Sequence, residues 1–370
     1  MHPFRYSDKH ISENEFMFAL PAIIIGISVL TIPAQIAKVT SFSDGWISIL
    51  ITSILVTLIS LIGLKVAMAF PNKPFFDYTS FLVTKPIAYI IISIFIFSFI
   101  AFLSYLVGLV SFVTQRYLFI QTPMEVIGLI FLLVVIYAVS GSRVGLFRLN
   151  MLFLPIILFV FIIVVIFNFK WYELQNFLPL FQTDMKGYLN GINNTIGAYG
   201  GFSIVLFYTF LVYKPKNLSK KVIIGMGIPT IVYLGVFFMC IAIFGNQVTG
   251  NLVFPTIESA KRIDIPGAIF ERVDAFVFTI WIMSFFNTAT MILDIIVILF
   301  CSIFKKANKE IVIFILAPLI FYLGMFPQEI NLAFKISSII SQFHLYYVCF
   351  IILTLFIIMK IRGVSHHESS

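Results

Sequence analysis

Charge is scarce in this chain. Only 11% of its 370 residues are Asp, Glu, Lys or Arg, against roughly a quarter in soluble domains. No hydrophilic stretch is long enough for a separate soluble domain. The three cysteines, Cys240, Cys301 and Cys349, stand singly in apolar sequence. That excludes a disulfide framework or a metal motif and reads as small buried hydrophobes. The five histidines, His2, His10, His344, His366 and His367, lie near the ends or isolated; His366 and His367 read as a flexible tail. No HExxH, GxSxG or phosphate-cradling glycine loop occurs, so neither an enzyme nor a bound cofactor or metal is expected. The formal charge of +8 is scattered among short loops, which does not suggest a nucleic-acid partner. No small-residue cleavage site follows the first apolar run, so that run is expected to stay as a span.

What the chain does have is apolar length. It is 61% hydrophobic with 44 Phe, and its mean hydropathy is +1.07. The expected solvent is a lipid bilayer, and the expected fold is an all-α polytopic membrane protein forming one integral membrane domain over 1–370. A span takes roughly 20 apolar residues. About ten segments qualify: 14–38, 44–70, 86–113, 123–140, 145–169, 189–213, 219–245, 271–303, 309–326 and 338–360. The fourth and ninth are barely long enough. A β-barrel is excluded, because its strands alternate over much shorter stretches. On the ten-span count, 16 of the 24 Lys and Arg fall on the side of the termini, which predicts both termini inside. Between the second and third spans, Phe75, Phe76, Tyr78, Phe81 and Leu82 could share one face of a short helix, either flat on the inner leaflet or plugging a gap between spans. Outside, Thr256 to Ile263 reads as a second short helix.

Two apolar runs carry helix breakers. In the first, Gly26, Ser28 and Thr31 precede Pro33; in the sixth, Gly197, Tyr199, Gly200, Gly201 and Phe202 fall together. Glycine loosens a helix, and proline removes a donor and clashes with the preceding turn. In hydrocarbon the freed groups need partners inside the protein or a water-lined cavity. A pair of broken helices in corresponding halves points to a ligand site near the bilayer midplane. These eight residues are therefore the expected ligand-binding set, although membrane helices are rich in Gly and Pro in any case.

Asp294 is the single acidic residue deep within an expected span, 11 residues from Lys305. With Ser284, Asn287 and Thr288 it follows helical spacing. Ion or proton coupling through Thr288 and Asp294, hydrogen-bonded glue between helices and an exit path all use such a stripe. Arg143 and Arg148 read as topology anchors at an inner turn.

The start ISENEFMFALPAIIIGISVLTIP, the Asp44-Gly45-Trp46 that follows, the loop from Phe254, and Phe270 to Phe276 leading into Trp281 together resemble the permease-like B subunits of nutrient germinant receptors. That family lies within the amino acid–polyamine–organocation transporter superfamily. The resemblance spans Ile11 to Arg362. It implies a five-plus-five inverted repeat, 11–169 and 187–362, with discontinuous first and sixth helices. It also implies a small nutrient ligand (an amino acid, sugar or nucleoside), A and C subunits as partners, and the spore inner membrane as location. A proton- or sodium-coupled amino acid transporter is the alternative.

Overall fold

The computed structural model describes residues 10–26, 28–213, 215–263, 273–305, 307–326 and 330–363. The chain ends 1–9 and 364–370, and 264–272 with Pro266, Gly267 and the start of the Phe270 to Phe276 stretch, lie outside the described residues. The order of α-helices is α1 (Glu13–Ile25), α2 (Ser28–Ala37), α3 (Gly45–Met68), α4 (Phe75–Leu82), α5 (Lys85–Tyr117), α6 (Met124–Ser140) and α7 (Arg143–Phe167). Then follow α8 (Met185–Ile196), α9 (Ile204–Tyr208), α10 (Leu218–Asn251), α11 (Pro255–Lys261), α12 (Val273–Ile303), α13 (Lys309–Met325) and α14 (Ile330–Ile361). Ser12 starts α1 with a capping box: the Glu15 N–H donates to its hydroxyl at 3.2 Å, and its own N–H donates to the Glu15 carboxylate at 2.6 Å. The reciprocal bonds satisfy two of the donors a helix start leaves open.

The all-helical membrane architecture stands, and the expected count of about ten spanning helices does not. Six described helices are long and apolar enough to cross a bilayer, or seven if the bent pair α1–α2 is one span. The five-plus-five count goes with it. The shortfall has local causes. Helices α6 and α13 have 17 residues each, about 25 Å of rise against a hydrocarbon core of about 30 Å. The expected span 189–213 is no single helix: α8 runs into a 3-10 helix over Gly197–Ser203, then five-residue α9 and another 3-10 turn, Thr209–Leu211. Hydropathy registers the apolar side chains of such a segment and is blind to whether its backbone bonds run on.

Long-range hydrogen bonds sort the connections into two ends. At one end the Asn217 N–H donates to Glu13, Arg148 pairs with Glu15, and Lys309 donates to the Gly141 carbonyl. At the other, Asn246 donates to the Thr40 and Phe42 carbonyls, Glu173 N–H to Ala242, and Trp171 to the Arg262 carbonyl. Helix α4 plugs rather than lies flat. Phe75, Phe76, Tyr78 and Leu82 are buried, the Tyr78 hydroxyl donates to the Leu206 carbonyl, and Phe75 meets Phe95 and Phe207 edge-on.

Asp44 pins the connection before α8. Its carboxylate is buried and accepts the N–H groups of Phe181 (2.7 Å), Gln182 (2.6 Å) and Thr183 (2.8 Å). Burial pushes its pKa up; the Phe181, Thr183 and Gln182 amides with the Thr183 hydroxyl outweigh that and hold it below the ordinary carboxylate value. A lowered folded pKa contributes stability above the unfolded value, near 4, and loses it as pH falls through the folded one. Asp44→Asn should therefore destabilise the detergent-purified protein by about 2 kcal/mol at pH 7. In thermal unfolding, the gap from wild type should close below about pH 4. An equal gap at both pH values would mean that the carboxylate charge is not what holds this connection.

Candidate functional site

The carbonyls at the end of α1 have no helical partners, because α1 stops at Ile25 and α2 leaves it at 53°. Side chains from other helices supply them. The Thr288 hydroxyl of α12 lies 3.1 Å from the Ile23 carbonyl and equally far from the Ser284 carbonyl of its own helix, so its one hydrogen is shared between them. The Tyr233 hydroxyl of α10 donates to the Ile24 carbonyl at 2.6 Å, with the Ala198 carbonyl of the second break 3.3 Å away. Pro33 in α2 has no N–H to offer Val29, and the Thr256 hydroxyl of α11 donates to that carbonyl at 2.8 Å. Two glycines make room for this arrangement. A Cβ on Gly26 would sit 2.5 Å from Thr288 Oγ1, and one on Gly201 would sit 2.7 Å from Ile23 Cγ2.

Beside the two breaks lies a cavity of about 490 Å³. Ser28 and Thr31 of α2 line it, as do Gly197, Gly200 and Gly201 of the 3-10 helix and Thr288 of α12. Helix α5 contributes Phe99 and Phe102, and α14 contributes Ser341, Gln342 and His344. Toward the end that carries Asp44, the lining includes Lys38, Asn193 and Asn251. Among the described residues Lys38 is the one charged side chain on its wall. The chemistry is that of a small-molecule site: apolar walls, scattered hydroxyl and amide groups, and no acid.

Three expected ligand residues are placed elsewhere. Gly26 faces Thr288. Tyr199 is fully buried on the far side of the break, its hydroxyl 3.1 Å from that of Thr230 and its ring edge-on to Tyr233. Phe202 is packed in the core. All three support the breaks rather than line the cavity. Asp294 is neither solitary nor on the wall. Arg143 Nε lies 2.7 Å from its Oδ2, and the Tyr208 hydroxyl donates to the same oxygen at 2.9 Å. Arg143 therefore does more than anchor a loop, since it neutralises a fully buried carboxylate. Higher on the stripe, Ser284 and Asn287 are buried with side-chain atoms that have no partner among the described residues.

His344 was the residue that sequence reasoning passed over as isolated. The signal was present, because an ionisable group inside an apolar span is expensive and marks a site by default. Arg143 and Thr256 could not have been found that way, since their partners are more than 150 residues and more than 220 residues distant in the chain.

The chain matches the model of the family described as "Spore germination protein" over residues 10–333. It is also 39% identical over 337 residues to spore germination protein GerLB of Bacillus cereus, covering 90% of this chain and 89% of the relative. The chain belongs to the spore germination protein family. A more distant member is YndE of Bacillus subtilis (strain 168), 26% identical, with 92% of this chain and 93% of the relative covered. The fold is shared with the crystal structure of MhsT in complex with L-phenylalanine, at a TM-score of 0.66 and 15% identity over 92% of this chain and 88% of the other.

The buried ion pair gives a double-mutant test. Removing Arg143 strands the fully buried Asp294 carboxylate, which costs about 3–5 kcal/mol, whereas removing Asp294 leaves an Arg143 side chain that is 29% exposed and costs less. Arg143→Gln and Asp294→Asn should each lower the unfolding temperature of the purified protein, and the double variant should recover a coupling of about 1–3 kcal/mol. Strict additivity of the two losses would show that the pair is not energetically joined.

Proposed function

We propose that this chain is the membrane subunit of a nutrient germinant receptor. In this reading the cavity at the two helix breaks binds a small nutrient, an amino acid, sugar or nucleoside, and occupancy is passed on as a change in helix packing. The observation that carries it is a ligand-sized cavity of about 490 Å³ set against both breaks, in a member of the spore germination family. The fold supports the same reading, since MhsT was solved holding L-phenylalanine. Ligand-binding residues are then Ser28, Thr31, Gly197, Gly200 and Gly201, with Thr288 joining the cavity to the end of α1. A and C subunits are the proposed partners that receive the signal, and the spore inner membrane is the proposed location. Catalysis has no part in this function.

Gly200 offers the cleanest test of the cavity. A Cβ there meets nothing closer than His344 Cδ2 at 3.9 Å, so Gly200→Leu fills the cavity without disturbing the backbone. Deleting the gene in the spore-forming host should abolish germination with at least one nutrient in a one-by-one screen. Spores carrying Gly200→Leu should hold normal protein levels on immunoblots and show the same loss. Normal germination with every nutrient in the deletion strain, or in the Gly200→Leu strain, would defeat the reading. Nutrient uptake that persists without any germination phenotype would favour a transporter instead.

The basic end of the molecule is proposed to face the cytoplasm, or spore core, with both chain termini. Hydrogen bonds gather Arg143, Arg148 and Lys309 at that end with Glu13 and Glu15, and Arg362 joins α4 there through the Phe81 carbonyl. An excess of Lys and Arg marks the inside. Lys220→Cys and Leu174→Cys, both on exposed positions, should label with membrane-impermeant reagent from opposite faces. Labelling of both from one face would reject the orientation.

A further inference from the structure

His344 has one hydrogen-bond partner, Ser98, whose own contacts bear on which ring nitrogen carries the proton. Its ring is buried on α14 against Phe99, centroid to centroid 4.7 Å, and lines the cavity. Nδ1 lies 3.0 Å from the Ser98 hydroxyl of α5. That hydroxyl has a single hydrogen and the Phe95 carbonyl, 2.9 Å away, can only accept, so both contacts are hydrogen bonds at once only when Ser98 donates to Phe95 and accepts from Nδ1. Toward His344, Ser98 is therefore the acceptor, and Nδ1 carries the hydrogen. Among the described residues no carboxylate lines the cavity, so nothing there would hold the ring as a cation and the neutral form applies. Nε2 is then a bare lone pair. It has no partner among the described residues, is absent from the buried atoms sealed off without one, and adjoins Cδ2, which faces Gly200.

We propose that His344 Nε2 is a specificity-determining acceptor, which selects nutrients carrying an N–H or O–H donor on the part that lies over Gly200. The proposal rests on the reading of the cavity as the nutrient site and deepens it. Position 344 supplies an acceptor beside Phe99 and Gly200, on a helix whose Ser341 and Gln342 also reach the cavity. Ser98 acts through His344, as the positioning residue that sets the tautomer. A nutrient lacking the donor leaves Nε2 desolvated and unpaired, which costs about 10- to 100-fold in affinity.

Germination dose–response curves on spores test this with pairs matched in shape and differing in a donor: L-threonine with L-valine, L-asparagine with L-leucine, and inosine with 2′-deoxyinosine. Wild-type spores should answer the donor-bearing member of at least one pair at a concentration 10-fold or more below that of its mate. His344→Phe keeps an aromatic ring and removes the acceptor, and should bring that ratio to within about 3-fold, chiefly by weakening the donor-bearing member. His344→Gln retains an acceptor and should keep part of the ratio; Ser98→Ala should lose part of it. Immunoblots on the same spores control for abundance. If His344→Phe moves both members of the pair alike or neither, while Gly200→Leu silences the response, the cavity reading stands and the role of His344 is overturned. Unchanged curves in Gly200→Leu as well would remove the cavity reading and this proposal with it. A wild type that prefers the donor-free member, or answers none of the six compounds, also overturns it.

Discussion

Tyr233 puts one hydroxyl between two broken helices, 2.6 Å from the Ile24 carbonyl and 3.3 Å from that of Ala198. A break in a spanning helix exposes backbone groups that lipid cannot satisfy. Everything around the cavity answers that constraint. Thr288 serves Ile23, Tyr233 serves Ile24, and Thr256 serves the Val29 carbonyl that Pro33 leaves without a donor. The three side chains come from α12, α10 and α11, so the break in α1 is held from several directions. Once those carbonyls are satisfied, the space beside them is free for a ligand.

The polar stripe of α12 is divided between two tasks. Thr288 belongs to the cavity and the helix break, while Asp294 belongs to an ion pair with Arg143 and a hydrogen bond from Tyr208. The carboxylate therefore ties α12 to the start of α7 and the end of α9, and the cavity wall is left without an acid. This separation sets the character of the site. The wall offers hydroxyls, amides and an imidazole, with Lys38 its one charged side chain among the described residues.

The chain belongs to the spore germination protein family and shares its fold with MhsT. The Asp44 clasp fixes the connection before α8 to the start of α3.

Much of this was legible in sequence. The apolar runs fixed the membrane and the helical class, because a bilayer tolerates few other solutions. The breakers at Gly26 and at Gly197 to Gly201 marked the segments beside which the cavity lies, since backbone chemistry is local. Asp294 stands out as a costly residue in apolar surroundings; His344 carries the same signal, although the sequence reads it only as isolated. What they face was not visible. Arg143 meets Asp294, Ser98 meets His344, and Thr256 meets Val29 across 151, 246 and 227 residues of chain, distances over which spacing carries no information. Tyr199 turned inward and His344 toward the cavity for the same reason: which face of a helix is lined by neighbours is decided by packing. The number of full-length spans was likewise decided by how far backbone hydrogen bonding runs, as in α6 and α13, which stop at 17 residues each.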